Sequence, residues 1–534
     1  MKARARPSTR KGRGPWNPGH LGRALAFLPD SVYFTRLTLP IRPLRPRSVQ
    51  GVAGAVVHSV NDPARFNTLR FCLALTVSLS VSGCGAVKAV KTTVLGADES
   101  GPKILGGFIG GAVADEPRAA LAAKQILALG GNAADAAVTL GLMLAVTLPS
   151  RASLGGGGAC VAYQPGASTP NKGVPEAILF IPPAPAQRAG DRPAAVPMLA
   201  RGLYLLAARY GTEQFAQLVA PAEQAARFGF PVSRALAVDL ASVAGPLTAD
   251  PSAAAIFAPG GVPLTEGGRL QQSDLGGTLA QIRTVGVGDM YEGLLGHKLA
   301  EATAASGGPI TVSDLRNARP ALAPVLSRDA GHDHIAFLPL PADGGVAAAA
   351  AFGVLAHDPS AMQAAGAASE AVAARFRAQG GDAGTLLSQG GTAPGLPALP
   401  ASTSFVVVDR KGGAVACSLT LNNLFGTGRV APGTGILLAA SPAVKPPPLL
   451  GAAIVWNENI HAFKAAIGGS GQNAAGLAVA SVLAQAETSG GMSPVPDPGR
   501  ANAVICAQYL PGEPQSCQFS TDPRGSGLAS GGSQ

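Results

Sequence analysis

Apolar positions along this chain follow two rhythms. Residues 405–408 and 452–455 form short unbroken runs rich in β-formers, and such a run suits a strand whose sheet is covered on both faces. Lys411-Gly412-Gly413 is a turn signal, and residues 414–421 predict a second strand, so the stretch from Ser402 reads as a hairpin. Elsewhere the period lengthens. Leu121, Ile126 and Leu129 recur at helical spacing behind Glu116 and Pro117, and Gly130-Gly131-Asn132 stops that helix. Residues 133–146 predict a second helix, nearly all apolar yet holding Asp135 and too short to span a bilayer, hence a buried core helix. Four glycines (154–160 read Leu-Gly-Gly-Gly-Gly-Ala-Cys) lead into a strand ending at Tyr163. Residues 462–467 predict a strand, 468–471 (Gly-Gly-Ser-Gly) a turn, and 473–486 a helix. Residues 362–400 begin as an Ala-rich helix and dissolve into Gly, Ser and Pro, which predicts a flexible surface linker and leaves the point before Ser402 mobile and accessible.

Charge changes the picture only once it is located. The 534 residues carry a net +10, but residues 1–83 hold thirteen Lys and Arg against Asp30 and Asp62. The remainder is about neutral, which argues against nucleic-acid binding. Arg65 and Arg70 precede the apolar run 71–79 and then Val81-Ser82-Gly83-Cys84, the proportions of a secretion signal. Val-Ser-Gly-Cys resembles a lipobox, which makes Cys84 the expected lipidated first residue and 66–83 the signal peptide. Residues 1–65 then read as a disordered basic extension, or as the product of a start assigned too far upstream. The location expected is the periplasm, lipid-anchored to a bacterial membrane, the outer one by preference. Cys506 and Cys517 flank the turn-rich residues 510–514 and either pair across a hairpin in an oxidising compartment or remain free thiols. No Cys-x-x-Cys or His cluster is present, so no metal or other cofactor is expected.

The stretch 401–428, Ala-Ser-Thr-Ser-Phe-Val-Val-Val-Asp onward to Asn422, Phe425-Gly426-Thr427-Gly428 and then Pro432 to Leu438, resembles the start of the gamma-glutamyltransferase small subunit. The order helix, Gly-Gly-Asn-Ala-x-Asp-Ala-Ala, helix, then four glycines and a strand resembles the same family. So do Pro339 to Gly345, and Tyr291 to Leu315, and the resemblance covers roughly 105–525. It implies a four-layer αββα sandwich of the N-terminal-nucleophile hydrolase type, in the α/β (α+β) class. It also implies self-cleavage between Ala401 and Ser402 into a large-subunit-like region, 84–401 with its linker at 362–401, and a small-subunit-like region, 402–534, that stay associated.

The resemblance places Ser402 at the nucleophile position, where the family usually carries threonine. A serine hydroxyl needs a base, and the α-amine freed by the cut, with a reference pKa of about 7.7 to 8.0, can supply it without histidine. Thr420 falls where the family has a hydroxyl that hydrogen-bonds the nucleophile. Asn422 falls where it contacts the substrate's α-amino acid end, a structural turn being the other reading. Gly468 and Gly469 match a pair resembling an oxyanion hole. Three departures stand beside these matches. The family's carboxylate-gripping arginine becomes Ile181 in Phe180-Ile-Pro-Pro-Ala-Pro185, its acidic residue falls near Val444, and its serine pair becomes Pro448-Leu449. Loss of an arginine fork would leave a buried carboxylate unpaired. Arg151, just ahead of the glycine run, is the candidate for a replacement charge, with a structural role as the alternative. The expectation is a gamma-glutamyltransferase-like amidohydrolase or acyltransferase acting on a γ-glutamyl-like or less polar acyl amide or peptide. The competing readings are a catalytically inactive envelope protein with a binding or scaffold role, and a chain that cuts itself but turns over no external substrate.

Overall fold

The computed structural model describes residues 107–533, leaving out 167, 390–392, 394, 489–491, 493 and 494. The expected extension, signal peptide and Cys84 lie outside the described residues. Numbered along the chain, the strands are β1 (Phe108–Ala114), β2 (Gly157–Tyr163), β3 (Glu176–Phe180), β4 (Phe230–Pro231), β5 (Arg269–Leu270), β6 (Ala321–Pro324), β7 (Leu326–Ala330) and β8 (Asp333–Phe337). They continue as β9 (Ser402–Asp409), β10 (Ala414–Thr420), β11 (Val430–Ala431), β12 (Ile436–Leu437), β13 (Gly451–Asn457), β14 (Ala462–Ser470), β15 (Arg500–Leu510), β16 (Cys517–Thr521) and β17 (Leu528–Ser533).

Two antiparallel sheets carry the fold. One has seven strands in the order β17-β1-β9-β10-β2-β3-β6, the other six in the order β16-β15-β14-β13-β8-β7. The unbroken apolar run of β9 is explained by burial on both faces. Phe405 and Val407 join a core with the helices Pro117–Ala128 and Ala133–Thr147, while Val406 and Val408 join Ile454, Trp456 and Phe463 between the two sheets. A third core packs the outer face of the six-stranded sheet against the helices Asp343–Leu355 and Ala475–Thr488. Helix, sheet, sheet and helix thus form the expected four-layer sandwich. No helix of the described residues is long and apolar enough to cross a membrane.

Residues before and after position 401 do not form separate domains. Both regions contribute strands to each sheet, and all described residues fall in one compact unit, Ala97–Gln534. The all-apolar Ala133–Thr147 helix is buried along its whole length, and Asn132 and Asp135 close its start as a capping box.

Two local expectations need correction. Gly468 and Gly469 lie inside β14 rather than in a turn, paired on one side with Ala452 and Gly451 and on the other with Asn502 and Ala501. Close packing demands the glycines there: a Cβ on Gly468 would stand 2.9 Å from Ser404 Cβ, and one on Gly469 2.6 Å from Ala475 O. The described part of the linker is also more anchored than its composition predicts. It contains the helices Met362–Gln379 and Ala383–Ser388, and its end is tucked in, with Leu399 3% exposed and its N–H donated to Asn473 Oδ1 at 3.2 Å. Apolar burial of Leu386 and Leu399 outweighs the looseness that their Gly- and Pro-rich neighbours predict.

Candidate active site

The site begins at the far end of the hairpin from its turn. Asp409 closes β9, and its carboxylate accepts the N–H groups of Lys411 (2.8 Å), Gly413 (3.0 Å) and Ala133 (3.0 Å). Gly412 takes the positive φ of 84° that the turn needs. Burial pushes the Asp409 carboxyl up, partly offset by those three donors. This turn fixes a register in which Ser402 faces Thr420, Ser404 faces Ser418, and Cys417 lies between Phe405 and Cys160 of β2. A slip of one residue would turn Ser402 to the opposite face.

Ser402 is 2% exposed, and its Oγ has no hydrogen-bond partner. Its backbone partner in β10 provides the neighbouring chemistry. Thr420 Oγ1 accepts the N–H of Asn422 at 2.8 Å and donates to the carbonyl oxygen of Ala401 at 3.4 Å. The Thr420 hydroxyl is therefore directed at the carbonyl of the Ala401–Ser402 bond, not at the Ser402 hydroxyl as expected. With the Asn422 N–H on its lone pair, its own proton is left for that carbonyl.

Asn422 sits at the strand's exit with a left-handed φ of 55°, a conformation that Asn tolerates better than most residues. It is fully buried. Its Nδ2 donates to Ala440 O at 3.1 Å, while its Oδ1 has no partner. Ser470, two residues beyond Gly468 on the same face of β14, also has a buried and unpartnered hydroxyl. Orphaned buried polar atoms cost about 1 to 3 kcal/mol each, and each of these three is left with bonding capacity that a ligand or water can complete. Ser418 Oγ meets Gly469 O at 3.4 Å, which ties the hairpin to β14.

Two residues that the sequence did not single out hold the mouth of β9. Asp115 accepts from Thr403 Oγ1 (2.8 Å) and Asn502 Nδ2 (2.8 Å), and Asn502 Nδ2 also reaches Ser404 O at 2.9 Å. One clamp thus joins β1, β9 and β15 within two residues of Ser402. The only sequence signal was a lone Asp beyond an apolar strand, which without partners is indistinguishable from a turn residue.

Arg151 is not a free charge for a substrate. Its Nε and Nη2 form a two-pronged ion pair with Asp239 at 2.8 and 2.9 Å, and Ser150 Oγ donates to the same carboxylate at 2.7 Å. Phe425 N donates to Ser150 O at 2.8 Å, so this pair braces the turn that follows Asn422. The four glycines are packing devices as well: a Cβ on Gly156 would stand 2.4 Å from Thr420 O, and one on Gly158 2.3 Å from Ser418 O. The three departures carry no charge and fall in different surroundings. Ile181 packs against the core between the sheets, Leu449 is buried, and Val444 is 44% exposed. A cavity of about 450 Å³ lined by Arg192, Asp250, Ser306 and Arg429 and another of about 120 Å³ flank residues 423–428; neither is lined by Ser402.

Cys506 and Cys517 form a disulfide across the β15–β16 pair. A second disulfide, which was not expected, joins Cys160 to Cys417. Among the described residues no group of three or more His, Cys, Asp or Glu side chains is placed to hold a metal.

Comparison with known proteins agrees with this geometry. The family model described as gamma-glutamyltranspeptidase matches residues 119–380. An acylase ACY 1 proenzyme of Pseudomonas sp. (strain SE83) is 34% identical over 231 residues, which is 40% of this chain and 41% of that protein. The glutathione hydrolase proenzyme of Escherichia coli (strain K12) is 30% identical over 370 residues, 59% of this chain and 63% of that one. The chain therefore matches between 41% and 63% of the length of these two relatives. The solved cephalosporin acylase from Bacillus halodurans shares the fold, with a TM-score of 0.63 at 19% identity over 81% of this chain and 97% of that one. Together with the Ser402 hairpin and the layered sandwich, these matches show that residues 119–380 resemble the gamma-glutamyltranspeptidase family and that the chain shares the fold of the solved acylase.

Proposed function

We propose that the chain cuts itself between Ala401 and Ser402 and that the freed Ser402 then hydrolyses, or transfers, the acyl group of a small amide or peptide whose acyl part is less polar than γ-glutamyl. The observation that carries this reading is the pair of hydroxyls at the hairpin mouth. Ser402 Oγ is buried and unengaged, and Thr420 Oγ1 is directed at the adjoining carbonyl. In the first step Ser402 Oγ bonds to the Ala401 carbonyl carbon, and the negative charge that grows on its oxygen meets the Thr420 hydroxyl. The C–N bond breaks as the serine proton passes to nitrogen, which leaves an ester and a free α-amine. Water then hydrolyses the ester to the Ala401 carboxylate and restores the Ser402 hydroxyl.

In turnover that α-amine takes the Ser402 proton as the hydroxyl attacks a substrate carbonyl, and it returns the proton to the leaving amine. Water or a second amine resolves the acyl-enzyme. Gly468 and Gly469 are the candidates for oxyanion donors that the resemblance implies. The acyl side of the site is argued from the linker. Leu399, on the acyl side of the bond to be cut, clusters with Val346, Ala347, Val372, Leu449 and Ala475. The space that its withdrawal would open is apolar, and Leu449 stands where the family carries a serine. The name acylase on one relative is in keeping with such a substrate. Export and lipidation at Cys84 complete the proposal; two disulfides suit an oxidising compartment.

Denaturing electrophoresis and N-terminal sequencing of the purified protein test the cut. A fragment beginning at Ser402, absent in Ser402→Ala, is the expected result, and an uncut wild-type chain overturns it in favour of a binding or scaffold role. A panel of chromogenic amides then tests specificity. Aliphatic acyl amides should exceed the γ-glutamyl amide in kcat/KM, and the reverse order overturns the substrate assignment.

A further inference from the structure

The Cys160–Cys417 disulfide lies at a place with a consequence for the cut chain. Cys160 is in β2 and Cys417 in β10, directly opposite each other in the ladder. Position 401 falls between them in sequence, so after self-cleavage one cysteine belongs to each fragment. The other described disulfide, Cys506–Cys517, spans a sequence separation of 11 and lies wholly in the second fragment.

We propose that Cys160–Cys417 is a permanent covalent tether that keeps the two products of self-cleavage a single molecule. This rests on the self-cleavage reading. Both cysteines are fully buried, with Phe405, Leu419 and Ile178 in the core beneath the seven-stranded sheet. Disulfide exchange requires a thiolate to reach a sulfur, so the folded protein keeps this bond even where an exposed disulfide would exchange. The tether is a staple and not a switch.

The topology gives the staple its value. The seven-stranded sheet crosses between fragments three times, at β17–β1, β1–β9 and β10–β2, and the six-stranded sheet once, at β13–β8. Neither fragment can complete a sheet alone. Without a link, refolding of the cut chain is a meeting of two molecules. With the tether it is intramolecular, at an effective concentration of about 1 mM, an advantage of roughly 10³-fold at micromolar protein. The tether also holds β10 against β2 three residues from Thr420, and Gly157 of β2 is the register partner of Thr420.

The test uses the full chain with a sequence-specific protease site inserted after Gly395, an exposed linker position, so that the cut can be made whether or not the protein cuts itself. After cutting, denaturing electrophoresis with an alkylating agent and no reductant should show one species of full mass. Addition of dithiothreitol, which is oxidised as it returns the cystine to two thiols, should give two. Cys160→Ala/Cys417→Ala should give two species in both lanes, and Cys506→Ala/Cys517→Ala one species without reductant. Recovery of the unreduced cut protein from denaturant should be independent of its concentration, whereas the Cys160→Ala/Cys417→Ala protein should recover less as it is diluted. Separation of the protease-cut wild-type chain without reductant overturns the tether. A protease-cut chain that stays joined while the untreated chain remains uncut upholds the tether and overturns self-cleavage, so the two failures are distinct.

Discussion

Replacing Thr420 by valine is the sharpest perturbation of the proposed chemistry. Valine preserves the shape of the side chain in a fully buried strand position and removes only the hydroxyl. Two effects follow, and they can be read separately. The oxyanion forming on Ala401 loses its donor; loss of one such donor typically slows an acyl-transfer step by about 10² to 10³. The 3.4 Å separation in the uncut chain is long for a hydroxyl bond, which places the expected slowing near the lower end, about 100-fold or about 2.7 kcal/mol. The Asn422 N–H meanwhile loses its 2.8 Å acceptor in a buried place, at a cost of about 1 to 3 kcal/mol in stability. A time course of fragment appearance after synthesis measures the first effect, and denaturant titration of the uncut protein measures the second. Thr420→Ser keeps the hydroxyl and should restore most of the cleavage rate. If Thr420→Val loses stability but cuts at the wild-type rate, the hydroxyl supports Asn422 alone, and its role at the Ala401 carbonyl is refuted.

Three further outcomes are expected. Arg151→Ala should strand the buried Asp239 carboxylate and cost about 3 kcal/mol in denaturant titration with KM unchanged; a raised KM at full stability would return Arg151 to substrate binding. Asp115→Ala deprives Thr403 and Asn502 of their acceptor, so it should lower stability by about 1 to 3 kcal/mol and slow self-cleavage; unaltered cleavage would show that Ser402 is placed without this clamp. Burial raises the Glu116 carboxyl, against the opposing bonds from Ala119 N and Thr147 Oγ1, so the folded chain holds that proton more tightly than the unfolded one. Its stabilising contribution is complete below the ordinary glutamate range and is lost as pH rises through the folded value. Relative to Glu116→Gln, the wild type should therefore weaken in denaturant midpoints as pH rises above the ordinary glutamate range, and a gap independent of pH would contradict the assignment.

Much of the architecture is local in origin and could be read along the chain. The β9–β10 hairpin follows from an apolar run, a Lys-Gly-Gly turn and a second run, and the helix pair around Gly130-Gly131-Asn132 follows from period and punctuation. Ser402 could be assigned to a strand mouth because it lies three residues ahead of that run. What escaped is non-local. Cys160 and Cys417 are 257 positions apart, and nothing in their neighbourhoods says that β2 and β10 are adjacent. Asp115 and Asn502 meet only because β1 and β15 lie in facing sheets. Gly468 and Gly469 look like a turn because glycine usually relieves backbone strain, but here the absence of Cβ serves close contact between layers.

The sequence by itself determined most of the elements, the unbroken apolar run that gives β9 two covered faces, and the identity of the serine at its mouth, because these depend on residues within a few positions of one another. Only the tertiary structure decided that Leu399 is buried three residues ahead of that serine, that the Thr420 hydroxyl is directed at the Ala401 carbonyl, that Arg151 is held by Asp239, and that a disulfide bridges the proposed cut. Each of these depends on which groups meet after the layers stack, and burial and pairing are properties of that meeting rather than of any stretch of chain.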